Sequence, residues 1–343
     1  MKMNRIFAYI LTLLSVLSLG GCVTEDEYDN SQRGNFEALW RLMDEHYCFF
    51  DYKQKELGVD WDEVHTRYSA YVNETMTQKQ LFEVLCNMVA ELKDGHVNIG
   101  APFDIARNWS YFEDFPLNYN DSIVNLYLGH DYNIASGLKF VILDDNIAYV
   151  RCESFDKAIG DGNISHMINI VGMCRGMILD IRDNGGGQLT TAHRLASRFI
   201  DDKTLIGYVS HKTGKGHNDF STPIMEYLEP YDGFRWNKPV AVLTNRSCYS
   251  ATNDFVKCVK GAPNVTIIGE RTGGGSGMPF HSELPNGWSV RYSAVVYYDK
   301  NMNHTEFGIE PDIQLQMSGA ETSKGKDTYI EYARQYLVQK SLE

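Results

Sequence analysis

Three short runs in the second half of the chain are almost wholly apolar: Met177-Ile178-Leu179-Asp180-Ile181, Val240-Ala241-Val242-Leu243-Thr244 and Val265-Thr266-Ile267-Ile268. A strand with one wet face alternates polar and apolar residues, so runs without alternation must be covered on both faces. Helical patterns stand between them. Ile164, Met167, Ile168 and Val171 share one face, as do Leu189, Ala192, Ala196 and Phe199, and a further helix is expected over 250–260. With Ile147-Ala148-Tyr149-Val150 as a first strand, this rhythm predicts a mostly parallel sheet with helices packed on it. A closing helix is expected over 326–339, and Asn286-Gly287 marks a hairpin turn.

The preceding residues follow another pattern. Phe36, Leu39, Trp40, Met43 and Tyr47 form a helical stripe, Trp61, Val64, His65 and Tyr68 repeat the spacing, and Thr77 with Gln80 forms a capping box before Leu81, Leu85, Met88 and Leu92. Residues 35–98 therefore form a helical domain. Residues 99–145 read as a small β segment capping the cleft, with β-like runs at 123–127 and 138–143, and 146–343 as the core domain. Apolar residues make up 43% of the 343, and charged residues 22%, which excludes a disordered scaffold. The net charge of −13 argues against nucleic acid as a partner.

The first residues read as an address. Lys2 and Arg5 precede an apolar run from Ile6 to Leu19, too short to span a bilayer and suited to a signal-peptide core. Leu19-Gly20-Gly21-Cys22 resembles a bacterial lipobox. It predicts a signal peptide over 1–21, lipidation at Cys22, a tether over 22–34, and an exported lipoprotein held on the outer membrane, facing the periplasm or the cell surface. Lipid chains anchor by burying methylenes, at about 0.8 kcal/mol each. The six other cysteines have no C-x-x-C spacing and are expected as buried free thiols.

Three segments offer chemistry. Ser250 stands where a buried strand leads through a polar turn into a helix, a placement that suits a nucleophile beside unpaired helix N–H groups; taken alone, the segment is better read as a plain helix cap. Asn184-Gly185-Gly186-Gly187 at a strand end permits close approach of a ligand, yet lacks the spacing of a nucleotide loop. His96 follows Asp94-Gly95 at the end of the helical domain. Ser247 and Cys248 are rival nucleophiles. With neither H-E-x-x-H nor a Cys/His cluster, no metal or other cofactor is expected.

These segments occur together with Gly269-Glu270-Arg271-Thr272-Gly273 and Gly308-Ile309-Glu310-Pro311-Asp312. In that order, from about Phe36 to Leu337, the chain resembles the S41 serine peptidases, the C-terminal processing and tricorn proteases. The resemblance implies an α/β fold with a ClpP/crotonase-like core and hydrolysis of peptide or protein substrates. The position of the family's dyad lysine is Gly275 here, so the tricorn style is implied: Ser250 as nucleophile, His96 as general base, Glu306 orienting it (with Glu310 and Glu270 as fallbacks), and Gly186 and Ala251 N–H groups as the oxyanion hole. Gly95 stands where the tricorn pattern has Ser. The span between His96 and Ile147 is too short for the PDZ module of the processing proteases. A non-catalytic peptide- or ligand-binding lipoprotein on the same fold is the alternative. Acyl-CoA chemistry, also hosted by crotonase-like folds, fits an exported chain poorly.

Overall fold

The computed structural model describes residues 29–106 and 115–342. The signal peptide, Cys22 and most of the tether lie outside the described residues. Four helices open the chain: α1 (Gln32–His46), α2 (Phe50–Leu57), α3 (Trp61–Ser69) and α4 (Gln78–Ala90). Ser31, Asp60 and Thr77 cap α1, α3 and α4, and Thr77 with Gln80 completes the expected capping box. Then follow β1 (Asn98–Ala101), β2 (Asp104–Ile105), α5 (Asp121–Leu128), β3 (Asn133–Ala135), β4 (Leu138–Ile142), β5 (Ile147–Cys152), α6 (Asp161–Val171), β6 (Gly176–Asp180), α7 (Leu189–Ala196), β7 (Thr204–His211), β8 (Ile224–Leu228), β9 (Val240–Thr244), α8 (Ala251–Val259), β10 (Val265–Gly269), β11 (Met278–Glu283), β12 (Ser289–Tyr298), β13 (Ile313–Gln314), α9 (Gly319–Thr322) and α10 (Thr328–Lys340).

The doubly covered runs form the centre of one sheet, ordered β13-β10-β9-β6-β5-β4-β3. Its pairs from β13 through β5 are parallel, and β4 and β3 add antiparallel strands at one edge. Every residue of β5, β6 and β9 is buried. One face packs on α6, α7 and α8, the other on α5 and α10. A second sheet holds β2-β1-β12-β7-β8, with β11 paired to β12. Its β12 residues Val290, Tyr292, Ala294 and Val296 share a core with α1 to α4. The helical domain is thus completed by strands from the second half of the chain.

Three expectations need correction. The run Ile123-Val124-Asn125-Leu126-Tyr127 is helix α5, not strand. Asn120 caps it through the Ile123 N–H, and only Ile123, Val124 and Leu128 are buried, a helical spacing that the apolar run concealed. The strands of 99–145 do not form a sheet of their own: β1 and β2 join the second sheet, and β3 and β4 extend the first. The tether's last residues, from Gln32, already belong to α1.

A buried charge cluster fixes the end of β6. Arg182, fully buried, donates to both oxygens of Asp180 (2.9 and 2.7 Å) and to both of Asp327 (3.1 and 3.0 Å). Asp327 also caps α10 through the Tyr329 and Ile330 N–H groups. Arg151 donates to the carbonyls of Asp180 and Arg182. Much of the Asp180-Ile181-Arg182 motif therefore holds the strand end from which the glycine loop departs. Arg182→Ala leaves two buried carboxylates unpaired, and urea denaturation is expected to show a loss of about 3–5 kcal/mol.

Candidate active site

Strand β9 ends at Thr244, and after five intervening residues the chain enters α8 at Ser250. Ser250 has φ 57° and ψ −121°, a conformation side-chain-bearing residues rarely take. Such a residue costs on the order of 1–3 kcal/mol and persists only where its surroundings fix it. Here the Ser250 N–H donates to Gly274 O and the Tyr249 N–H to Asn184 O. The side chain does not act as the helix cap. Ser250 Oγ makes no capping bond to α8 and lies 3.0 Å from His96 Nε2.

His96 comes from the turn between α4 and β1, 154 positions earlier. Asp94 shapes that turn by accepting the His96 N–H at 2.8 Å. The other Asp94 oxygen accepts from Ser293 Oγ (2.8 Å) and Tyr47 Oη (3.1 Å). Burial pushes the Asp94 carboxyl up, but Lys53, His96 and these donors outweigh it and hold the carboxyl below its ordinary range. The imidazole is 3% exposed, and burial lowers its pKa to about 4, against the nearby Asp94 charge and with help from Arg291. His96 is therefore neutral near pH 7 and free to accept a proton at Nε2. Its Nδ1 faces the Gly277 carbonyl without a well-formed bond.

Glu306 is buried in the same region, but none of its hydrogen bonds among the described residues reaches His96. One oxygen pairs with Lys53 Nζ at 3.0 Å, the other accepts the Ser276 N–H at 2.8 Å. Burial raises its carboxyl above the ordinary range, with Lys53 pulling it back. Asp94 is the acid that acts on the imidazole most directly. The fallback acids lie elsewhere: Glu310 is exposed beside Arg271 (3.5 Å), and Glu270 is buried near Asn118 and Arg246.

Tyr249 packs against two glycines of the site. A Cβ at Gly95 would stand 3.0 Å from Tyr249 Oη, and one at Gly275 only 2.2 Å from its ring. The tyrosine thus fills the space that a Ser at 95 or a Lys at 275 would need. Of the rival nucleophiles, Cys248 is fully buried with its thiol pushed up to about 12, and Ser247 lines the cleft near Asp183.

The expected oxyanion donors differ in readiness. Ala251 is the first residue of α8, so its N–H has no partner within the helix. The Gly186 N–H is already given to Asn184 Oδ1 at 3.0 Å, and a Cβ at Gly186 would stand 2.8 Å from Ser250 Cβ and 3.1 Å from Ala251 N. Two cavities, each of about 500 Å³, meet at Ser250. Among the described residues one trio has metal-ligand types in reach, His193, Asp254 and Cys258. Its carboxylate is taken up by His193 (2.5 Å) and Lys257 (2.7 Å). Lys53, Tyr47, Tyr249, Ser293 and Arg291 escaped the sequence reading, because none belongs to a short motif that signals chemistry.

Comparison with known proteins agrees with this geometry. Residues 146–315 match peptidase family S41, and residues 28–90 match the tricorn protease C1 domain. A crystal structure from Parabacteroides merdae ATCC 43184, provisionally described as a peptidase, is 51% identical, covers 90% of this chain and 98% of its own, and superposes with a TM-score of 0.86. Mature CPAF, 13% identical, covers 90% of this chain and 96% of its own at a TM-score of 0.68, a likeness of fold. The carboxy-terminal processing protease CtpA of Bacillus subtilis is 25% identical over 178 residues, 51% of this chain and 36% of that protein. The chain spans only about a fifth to a third of the length of the first curated relatives it matches. The match of residues 146–315 to the family model, together with a 51% identical structure that spans 90% of the chain, shows that the chain belongs to peptidase family S41.

Proposed function

We propose that this protein is a serine endopeptidase acting through an acyl-enzyme. The observation that carries the reading is the 3.0 Å contact of Ser250 Oγ with His96 Nε2, made by a serine that does not cap its helix. Ser250 Oγ attacks the peptide carbonyl carbon while its proton passes to His96 Nε2. The tetrahedral oxyanion is held by the Ala251 N–H, joined by the Gly186 N–H once that donor turns from Asn184. His96 then protonates the leaving amine, the acyl-enzyme forms, and water attacks it by the same path in reverse. Asp94 stabilises the imidazolium. Glu306 supports it at one remove: by balancing Lys53, it keeps a bare cation from facing Asp94 and His96.

One observation favours the alternative of a peptide-binding protein, namely the engagement of the Gly186 N–H by Asn184, which leaves the oxyanion hole half open. A fluorophosphonate probe separates the two readings. It is expected to label the wild type but not Ser250→Ala, and His96→Ala is expected to lower kcat/KM by about 10²–10⁴-fold. A wild type that resists labelling and cleaves no peptide removes the enzyme.

The pH dependence follows from the low pKa of the imidazole. Protonation below about pH 4 disables the base, so kcat/KM is expected to stay level down to about pH 5 and to halve near pH 4. An acid limb centred near the ordinary histidine value would contradict this environment. A lipid anchor on Cys22 belongs to the same proposal: metabolic labelling with a palmitate analogue is expected to mark the wild type and not Cys22→Ala.

A further inference from the structure

Strand β12 presents alternate residues to opposite sides. Val290, Tyr292 and Ala294 enter the helical core, so Arg291 and Ser293 face the other way. Ser293 reaches Asp94 behind the imidazole. Arg291, two residues earlier on the same face, lines both cavities that meet at Ser250. It is partly exposed, and among the described residues no carboxylate lies within ion-pair distance of it and no acceptor meets its N–H groups. A guanidinium presents five donors in a planar fork and is always charged, a shape matched to a carboxylate.

The two cavities differ in charge. One is also lined by Asp156 and Asp183, both exposed, which repel an anion. The other contains a single acid, Asp254, already held by Lys257 and His193. Leu189, Met278, Pro279 and Tyr297 supply apolar wall there. Arg291 is thus the unmatched charge of the second cavity, beside the nucleophile. We infer that Arg291 forms a carboxylate-binding subsite: the second cavity takes an acidic side chain or the free C-terminal carboxylate of a peptide, next to the scissile bond. The role in cleavage rests on the peptidase reading above; the binding does not.

The test uses short fluorescein-labelled peptides on one fixed scaffold, with Glu, Gln or Lys at one position at a time, each with a free or an amidated C-terminus. Binding is read by anisotropy on Ser250→Ala, and cleavage on the wild type. A carboxylate at one position is expected to improve affinity and kcat/KM about tenfold or more over its amide counterpart. The preference is expected to vanish with Arg291→Gln, to weaken with Arg291→Lys and to turn toward Lys with Arg291→Glu. The arm that carries the preference, side chain or terminus, identifies the source of the carboxylate. Fluorophosphonate labelling of the Arg291 variants reports an intact site. Equal binding of acid and amide peptides, or a loss in Arg291→Gln that is the same for both, overturns the subsite. Acid-selective binding with no cleavage by the wild type would instead sink the peptidase reading and leave the subsite standing.

Discussion

A buried ion pair joins Lys53 to Glu306 across 253 positions of sequence, and the rest of the site is assembled around it. Lys53 stands on α2 of the helical domain; Glu306 lies in the loop between β12 and β13. Both side chains are essentially inaccessible to water. A buried pair of this kind adds little net stability over an apolar substitute, but leaving one charge alone is strongly unfavourable. It therefore acts on the docking of the two cores: one arrangement satisfies both charges. That arrangement also brings His96, from the turn after α4, to Ser250, at the start of α8. Asp94, Tyr47 and Ser293 extend the same cluster, each from a different element.

Ser250 illustrates a local rule overruled by tertiary contacts. A serine at a helix start ordinarily stabilises the helix by about 1 kcal/mol through its side chain. Ser250 forgoes that bond and accepts a positive φ. Hydrogen bonds from neighbouring loops hold this geometry, one of them to Gly274. Tyr249 beside it occupies the space that side chains at positions 95 and 275 would need.

The parallel sheet was legible because β6, β9 and β10 are buried on both faces and their residues say so. The capping box at Thr77 and the stripe from Phe36 fixed α4 and α1. The stretch 123–127 was not legible: five residues with four apolar or aromatic side chains fit a strand or a helix, and only packing against the sheet with Asn120 as cap selects the helix. The membership of the second sheet was equally hidden, since β12 finds β1 and β7 far along the chain. In the site, Ser250, His96 and Gly186 came from motifs. Lys53 and Arg291 did not, because a lone cation on an amphipathic element reads as a solvated surface residue until its neighbours are known.

What the sequence determined by itself is the set of doubly buried strands, the helices between them and the family to which their motifs point. These follow from side-chain period and turn chemistry, which are local. The tertiary structure alone decided that Ser250 meets His96 instead of capping α8, that Glu306 pairs with Lys53 instead of the imidazole, and that Arg291 lines the cleft with no ion-pair partner among the described residues. Each of these depends on which charges and hydrogen-bonding groups become neighbours when two hydrophobic cores dock, and that proximity is not encoded in any short stretch of chain.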